Sequence, residues 1–584
     1  MRLAVCCLIL AQLGVPASEP STEKAFTWWI APALVKVRPM DRPPAVLQHV
    51  ADMSAAQNEF EPFQIVLRSP QPLSGLDVQA SSLIDDAGNA IPASSVHIYL
   101  TGFVNVARPS RIGGETGEWP DMLLPRVDMY YHERRSTFPF QLKEGRNQPV
   151  WIEVYVPTGT RAGAYQGKVT VTMAGKEFLT VPIRLKVWNF ALPSTSSFTT
   201  SFGFSGISAL KAHAGKYTSD DDIRSVTFLY SKAALLHRIS LHGGTFIPPP
   251  FTINGNSAAI EWDLYDQEVG PFLDGKVLGD KDPLPGARVT SMDMRTHGSA
   301  NTNEKKMLYW REWAKHFRAR GWLNKLFYYV IDEPKVEDYP KIVELSRLAH
   351  QADPAIRTLV TLQKTAMLDS AIDLWSPLIN CFELKPGFDT FCRETVARNK
   401  YGDLQPGKDL WWYQSCASHG CSIEGGPYFK GWPSYMIDDS AVSNRVMPWL
   451  AWKYRISGEL YFATNESYSQ IADPSANMYL YGGNGDGTLF YPGRTARIGG
   501  THDIPIESIR LKLIREGLED YEYLLLLEKL AGRDVAERQV DRIVQNVYTF
   551  NSDPGILSGS RLETGNEIEK RISAGNRGRR GVSP

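Results

Sequence analysis

Two hydrophobic rhythms divide the chain. From Phe26 to about Phe190, apolar residues alternate with polar ones in short runs broken by Pro, Gly, Asn and Asp. The clearest are "NEFEPFQIVL", "WIEVYVP" and "GKVTVTMAGKEFLTVPIRLKVW". A period of two marks a strand with one buried face. In the third run Val169, Val171 and Met173 share a face, Ala174-Gly175 makes the turn, and Val181, Ile183, Leu185 and Val187 alternate on the return. That is a hairpin, and its repetition predicts an N-terminal antiparallel β-sandwich over 26–190. "ALPSTSS" at 191–197 reads as a linker.

Beyond the linker, strands alternate with amphipathic helices. "YTSDDDIRSVTFLYSKAALLHR" opens with Ser219 and Asp222 at capping-box spacing, so its three aspartates are read as a helix start and not as a metal cluster. "MLYWREWAKHFRARGW" puts Trp310, Trp313, Ala314 and Phe317 on one face and stops at Gly321. Further βα pairs follow, with strands "IRTLVTLQ", "LINCFEL", "DLWWYQS" and "GELYFATN", a segment "GTLFYPG" and a long helix from Ile506. Repeated βα units imply a parallel sheet, and their number predicts a (β/α)8 TIM barrel over 198–530. The last stretch, 531–584, reads as a short helical extension that frays into a solvated basic tail at "RGRRG".

A length of 584 residues exceeds what one hydrophobic core supports, in keeping with this multidomain division. Lys plus Arg (63) balances Asp plus Glu (64), so no net field points to nucleic acid or an anionic membrane. Arg2 precedes the apolar run "LAVCCLILAQLGV" and then "VPAS", which reads as a secretory signal peptide over 1–17. The run is too short to span a bilayer, and no later segment is long enough. Export would carry Cys381, Cys392, Cys416 and Cys421 into an oxidising compartment as disulfide candidates, with Cys416–Cys421 the local loop. A metal on that C-x4-C spacing is disfavoured, because His419 is the only imidazole nearby; no cofactor or metal is expected.

The chemistry concentrates at "KLFYYVIDEP". In a (β/α)8 barrel the active site lies at the C-terminal strand ends, where Asp332 and Glu333 stand. Neighbours in a regular strand point to opposite sides, so both acids can face one pocket only if the chain bends there, as Pro334 suggests. Helix capping or a basic partner is the bland alternative for such acids. Two carboxyls in one pocket tend to titrate apart, which suits protonation of a glycosidic oxygen beside an anion that steadies the sugar. Ordinary retaining or inverting pairs stand ~5.5 Å or ~6.5 to 9.5 Å apart, commonly on different strands. Adjacency therefore favours substrate-assisted catalysis, with a 2-acetamido group as nucleophile, Glu333 as acid/base and Asp332 orienting the acetamido nitrogen. Other strand ends offer Trp411 and Trp412 as a stacking wall, Tyr413 as a hydroxyl for the acetamido oxygen, and Asn465, Asp486 and Tyr491 as further ligand contacts.

"YYVIDEP", "NEFEPFQIVL" and "GDGTLFYPG" followed by "PIESIRLKLIREGLEDYEYLLLLEKL" resemble glycoside hydrolase family 123 and its relatives grouped as domain of unknown function 4091. The resemblance runs from about 26 to 530. It implies a β-sandwich before a (β/α)8 barrel and β-N-acetylgalactosaminidase activity on glycans of glycosphingolipids, with the Asp-Glu pair falling on Asp332 and Glu333 and an assisting tyrosine on Tyr413. The expectation is an exported retaining exo-glycosidase that removes a terminal β-linked 2-acetamido sugar from a glycan or glycoconjugate. Two alternatives stand beside it: a barrel glycosidase for a non-acetamido sugar using a distant carboxylate such as Glu383, and an inactive glycan-binding or surface protein.

Overall fold

The computed structural model describes residues 25–580 apart from 245, 256, 389–403, 405–406, 420–425 and 472. The expected signal segment, Cys392 and Cys421 lie outside the described residues.

The N-terminal region builds two facing sheets. One contains Ala51–Gln57, Lys176–Ala191, Gly163–Met173, Leu73–Ala80 and Phe140–Leu142 in that spatial order. The hairpin read from the alternation is present, Gly163–Met173 pairing with Lys176–Ala191. Ala174 and Gly175 both take positive φ, 49° and 77°, as a two-residue mirror turn requires. The other sheet runs Thr27–Pro32, Glu59–Arg68, Asn147–Val156, Val96–Val106, Gly117–Pro125, Ile504–Ser508, Phe490–Gly493. Phe63, Ile65 and Leu67 meet Val169, Val171, Val181 and Ile183 between the sheets.

The last two strands of that second sheet differ from the sequence expectation. "GTLFYPG" was expected to continue the barrel series and the long helix to start at Ile506, but Phe490–Gly493 and Ile504–Ser508 pair antiparallel with each other, the latter joins Gly117–Pro125 of the sandwich, and the helix begins at Ile509. Alternation identifies a strand; it does not say which sheet receives it.

Eight strands form the second body: β1 (Thr199–Ser205), β2 (Leu241–Gly244), β3 (Met292–Asp293), β4 (Leu326–Ile331), β5 (Arg357–Val360), β6 (Leu374–Trp375), β7 (Asp409–Tyr413) and β8 (Gly458–Tyr461). Every neighbouring pair is parallel, in the order β2-β1-β8-β7-β6-β5-β4-β3. The two end strands, β2 and β3, lie against each other, so the barrel is nearly closed. Asp220–Leu236, capped by Ser219, and Asn303–Ala319, with Trp310, Trp313, Ala314 and Phe317 buried, are two of its outer helices. Inside, Phe327, Leu359, Leu374, Trp411, Tyr413 and Leu460 form the packed interior.

The helix Ile509–Ala531 locks the two bodies together. Its charged residues are buried but paired: Arg510 with Asp121 at 2.9 Å, Lys512 and Arg515 with Glu153 at 2.8 and 2.6 Å, and Asp520 with Arg445 at 2.7 Å. Removing one partner of such a pair strands a charge in the interior. The extension is more ordered than its composition suggests. The hairpin of Val544–Asn546 and Thr549–Phe550 leads into a helix, Pro554–Arg580, that docks on the sandwich, where Asn566 accepts from Trp188 Nε1 at 3.1 Å.

Candidate active site

β4 delivers the two acids. Period two turns Phe327 and Tyr329 into the barrel, the strand ends at Ile331, and Glu333 then adopts φ 41°. A left-handed backbone on a non-glycine side chain is strained and concentrates at functional sites. Here the turn lets adjacent carboxylates serve the same mouth.

Each carboxylate has its own support. Tyr329 donates its hydroxyl to Asp332 Oδ1 at 2.5 Å, and Thr361, just past β5, donates to the same oxygen at 2.8 Å. Thr361 Oγ1 also accepts the Glu333 backbone N–H at 2.7 Å. Tyr413, at the end of β7, donates to Glu333 Oε1 at 2.8 Å. Asp332 and Glu333 are exposed, whereas Tyr413 is only 6% exposed. Burial, and then the charge of Glu333, raises the Tyr413 hydroxyl above the ordinary tyrosine range; burial and then Asp332 do the same at Tyr329. Both phenols therefore stay protonated and act as donors. Among the described residues, Asp332 Oδ2 and Glu333 Oε2 carry no protein partner, so each acid presents one oxygen to a ligand.

Sequence reasoning expected Asp332, Glu333 and Tyr413 at one strand-end site, and the structure brings these three together. It missed Tyr329 and Thr361. "LFYYVI" read as uniformly apolar, although period two places Tyr329 on the same face as Phe327. His242 and Asp293 were also missed; their register with Gly203 and Phe327 turns them inward on β2 and β3. Burial holds the His242 imidazole below its usual range, and the charges of Asp293 and Asp332 oppose that shift.

The other expected contacts sit elsewhere. Trp411, 3% exposed, is part of the barrel interior and meets Phe327 edge to face at 5.6 Å; Trp412, 0% exposed, packs against Phe382. Asn465 spends its amide on the backbone of Ser205, accepting from its N–H at 3.0 Å and donating to its carbonyl at 2.9 Å. Asp486 is buried, which pushes its carboxyl up to about 7, and it accepts the Ala417 N–H at 2.9 Å. Tyr491 belongs to a sandwich-sheet strand and donates to Asp121 at 2.6 Å. Glu383 accepts from Tyr454 on the helix Met447–Tyr454. Cys381 and Cys416 each take part in a disulfide. Among the described residues, no cluster of three or more His, Cys, Asp or Glu could hold a metal ion, and no helix is long and apolar enough to cross a membrane.

Comparison with known proteins gives this arrangement its class. The glycoside hydrolase 123 N-terminal domain matches residues 39–173, and the glycoside hydrolase 123 catalytic domain matches residues 287–527. Among solved structures, a family 123 glycoside hydrolase from Clostridium perfringens, described for glycolipid glycan hydrolysis, aligns over 95% of this chain and 99% of its own. Its TM-score is 0.65 at 14% identity. A Bacteroides ovatus GH5 xyloglucanase (TM-score 0.29, 10% identity, 81% of this chain and 99% of its own) and a family 39 glycoside hydrolase from Bacteroides cellulosilyticus WH2 (0.32, 10%, 81% of each) are too distant to carry an argument. No curated protein matches the chain in sequence. The protein is a glycoside hydrolase. More narrowly, the chain belongs to glycoside hydrolase family 123.

Proposed function

We propose that the protein is an exported, metal-independent exo-glycosidase that removes a terminal β-linked 2-acetamido sugar, GalNAc, with retention of configuration. The observation that carries this reading is the turn at Glu333, φ 41°, with Asp332 held by Tyr329 and Thr361 and Glu333 held by Tyr413. Glu333 gives its proton to the leaving glycosidic oxygen as that bond breaks. The acetamido oxygen of the substrate attacks the anomeric carbon, and Asp332 accepts the acetamido N–H through Oδ2, stabilising the positive charge of the oxazolinium. Glu333, now ionised, takes a proton from water, whose oxygen opens the ring at the anomeric carbon and restores the acetamide. Two inversions give retention. Tyr413 is the hydroxyl we assign to the acetamido oxygen, with Glu333 its partner in this structure. The Clostridium perfringens enzyme's description in terms of glycolipid glycans supports a glycoconjugate as the substrate class.

The test is hydrolysis of aryl β-glycosides of GalNAc, GlcNAc, Gal and Glc. Glu333→Gln should abolish turnover of a β-GalNAc substrate with a poor leaving group, and Asp332→Asn should impair it heavily. A thiazoline that mimics the oxazoline should inhibit the wild type. Wild-type rates in both variants, or indifference to the thiazoline, would refute the assignment.

A further inference from the structure

Neither tryptophan expected to stack on a sugar offers a face, since Trp411 and Trp412 are 3% and 0% exposed. An aromatic surface stands elsewhere, in the loop that follows β8. That loop folds over the barrel mouth: Gly203 of β1 points inward by its register, and a Cβ there would lie 1.9 Å from the Phe462 carbonyl oxygen. Thr464 then donates to the Gly203 carbonyl at 2.8 Å. The backbone at Phe462 therefore crosses the C-terminal end of β1. Gly487 keeps space for the Phe462 ring, because a Cβ at 487 would come within 2.4 Å of it.

From the same loop rises a hairpin, Tyr479–Leu480 paired with Gly483–Asn484. Its two-residue tip is Tyr481-Gly482, with φ 50° and 88°. A turn with both central residues at positive φ favours Asn, Asp or Gly in the first place, and a bulky tyrosine there is strained. The strained side chain is nevertheless held in one orientation. Its hydroxyl donates to Glu466 Oε1 at 3.0 Å, and its ring meets Phe462 edge to face at 6.1 Å. The hairpin's base is braced by the sandwich, Asn484 N donating to Ser110 Oγ at 2.8 Å and Asn484 Nδ2 to the Arg108 carbonyl at 2.9 Å. Yet Tyr481 remains 47% exposed.

We infer that Tyr481 is a sugar-binding platform at the outer rim of the site, which takes the apolar face of the pyranose on the leaving-group side of the scissile bond. A ring fixed at both ends with an open face is pre-organised, so little ordering cost is incurred when a sugar stacks on it. Its place at a hairpin tip, and not in the barrel interior with Tyr413, directs it to the second sugar and not to the terminal one. The sandwich thereby contributes to specificity through Arg108 and Ser110. This inference rests on the glycosidase reading above.

The experiment compares the disaccharides GalNAc-β1,3-Gal and GalNAc-β1,4-Gal with methyl β-GalNAc, which lacks a second ring, in the wild type, Tyr481→Asn and Tyr481→Phe. Tyr481→Asn supplies the residue that the turn favours, so Tm should hold or rise. Its kcat/KM on at least one disaccharide should fall about tenfold, mostly through KM, and by more than on the methyl glycoside. Tyr481→Phe, which keeps the ring, should recover most of the loss. The platform is overturned if Tyr481→Asn matches the wild type on both disaccharides, or if it loses Tm and loses activity equally on all three substrates. A wild type inert towards every probe refutes the glycosidase reading itself, and this inference with it.

Discussion

Thr361→Val removes one hydroxyl and almost no volume, and that hydroxyl holds both acids. Thr361 Oγ1 donates to Asp332 Oδ1 at 2.8 Å, accepts the Glu333 N–H at 2.7 Å and lies 3.0 Å from the Tyr329 hydroxyl, whose proton goes to Asp332. The residue is 3% exposed, so water cannot readily replace what is lost. A hydrogen bond to a charged group contributes about 1.5 to 3 kcal/mol. If that amount is lost from the transition state, kcat/KM falls about 10- to 150-fold. On the proposed mechanism the loss should appear in kcat, because the hydroxyl's bonds go to Asp332 and to the Glu333 backbone. Thr361→Ser keeps the hydroxyl and both of its bonds to the acid pair and should recover most of the rate. The assay is steady-state hydrolysis of an aryl β-GalNAc substrate, with thermal unfolding of each variant run in parallel to separate positioning from folding. Wild-type kcat in Thr361→Val, a loss confined to KM, or a serine variant as defective as the valine would refute this reasoning.

Three further outcomes are expected. Tyr413→Phe removes the donor to Glu333 Oε1 while keeping the ring in the barrel interior, so kcat/KM should fall by about tenfold or more with little change in Tm; unchanged kinetics would show that the bond does not position the acid. Arg510→Met leaves the buried Asp121 charge without its guanidinium, with the Tyr491 hydroxyl still donating to it, and frees the carbonyls of Tyr435 and Gly485, which should cost about 3 to 5 kcal/mol in denaturant titration, and Arg510→Lys should not restore it because an ammonium cannot reproduce the fork. Burial pushes Glu459 from 4.5 up to about 8, so the folded chain retains a proton that the unfolded chain releases. This group's contribution is complete below pH 4.5 and is lost as pH rises to about 8. The Tm of Glu459→Gln relative to the wild type should therefore climb across that window, and a constant offset would contradict the assignment.

What the sequence revealed and what it hid divide along one physical line. Periodicity reports whether a side chain faces a core, so the 163–191 hairpin, the helix face of Trp310, Trp313 and Phe317, and the strand end at Asp332 were all legible. Pairing between distant segments has no local signature. "GTLFYPG" reads as part of the barrel and Ile506 as a helix start, yet Phe490–Gly493 and Ile504–Ser508 complete the sandwich sheet, and Tyr491 lies there with them. The same limit explains the tryptophans: alternation separates Trp411 from Trp412, but only the assembled barrel shows that both faces are closed. The supports of the acid pair needed two steps, first that Tyr329 shares the inward face of Phe327, then that β5 lies beside β4 and brings Thr361 within reach. Adjacency of two acids looked like an obstacle because neighbours in a strand diverge. The left-handed turn at Glu333 removes that obstacle, and Thr361 couples the turn to Asp332, so the backbone strain and the alignment of the pair depend on the same hydroxyl.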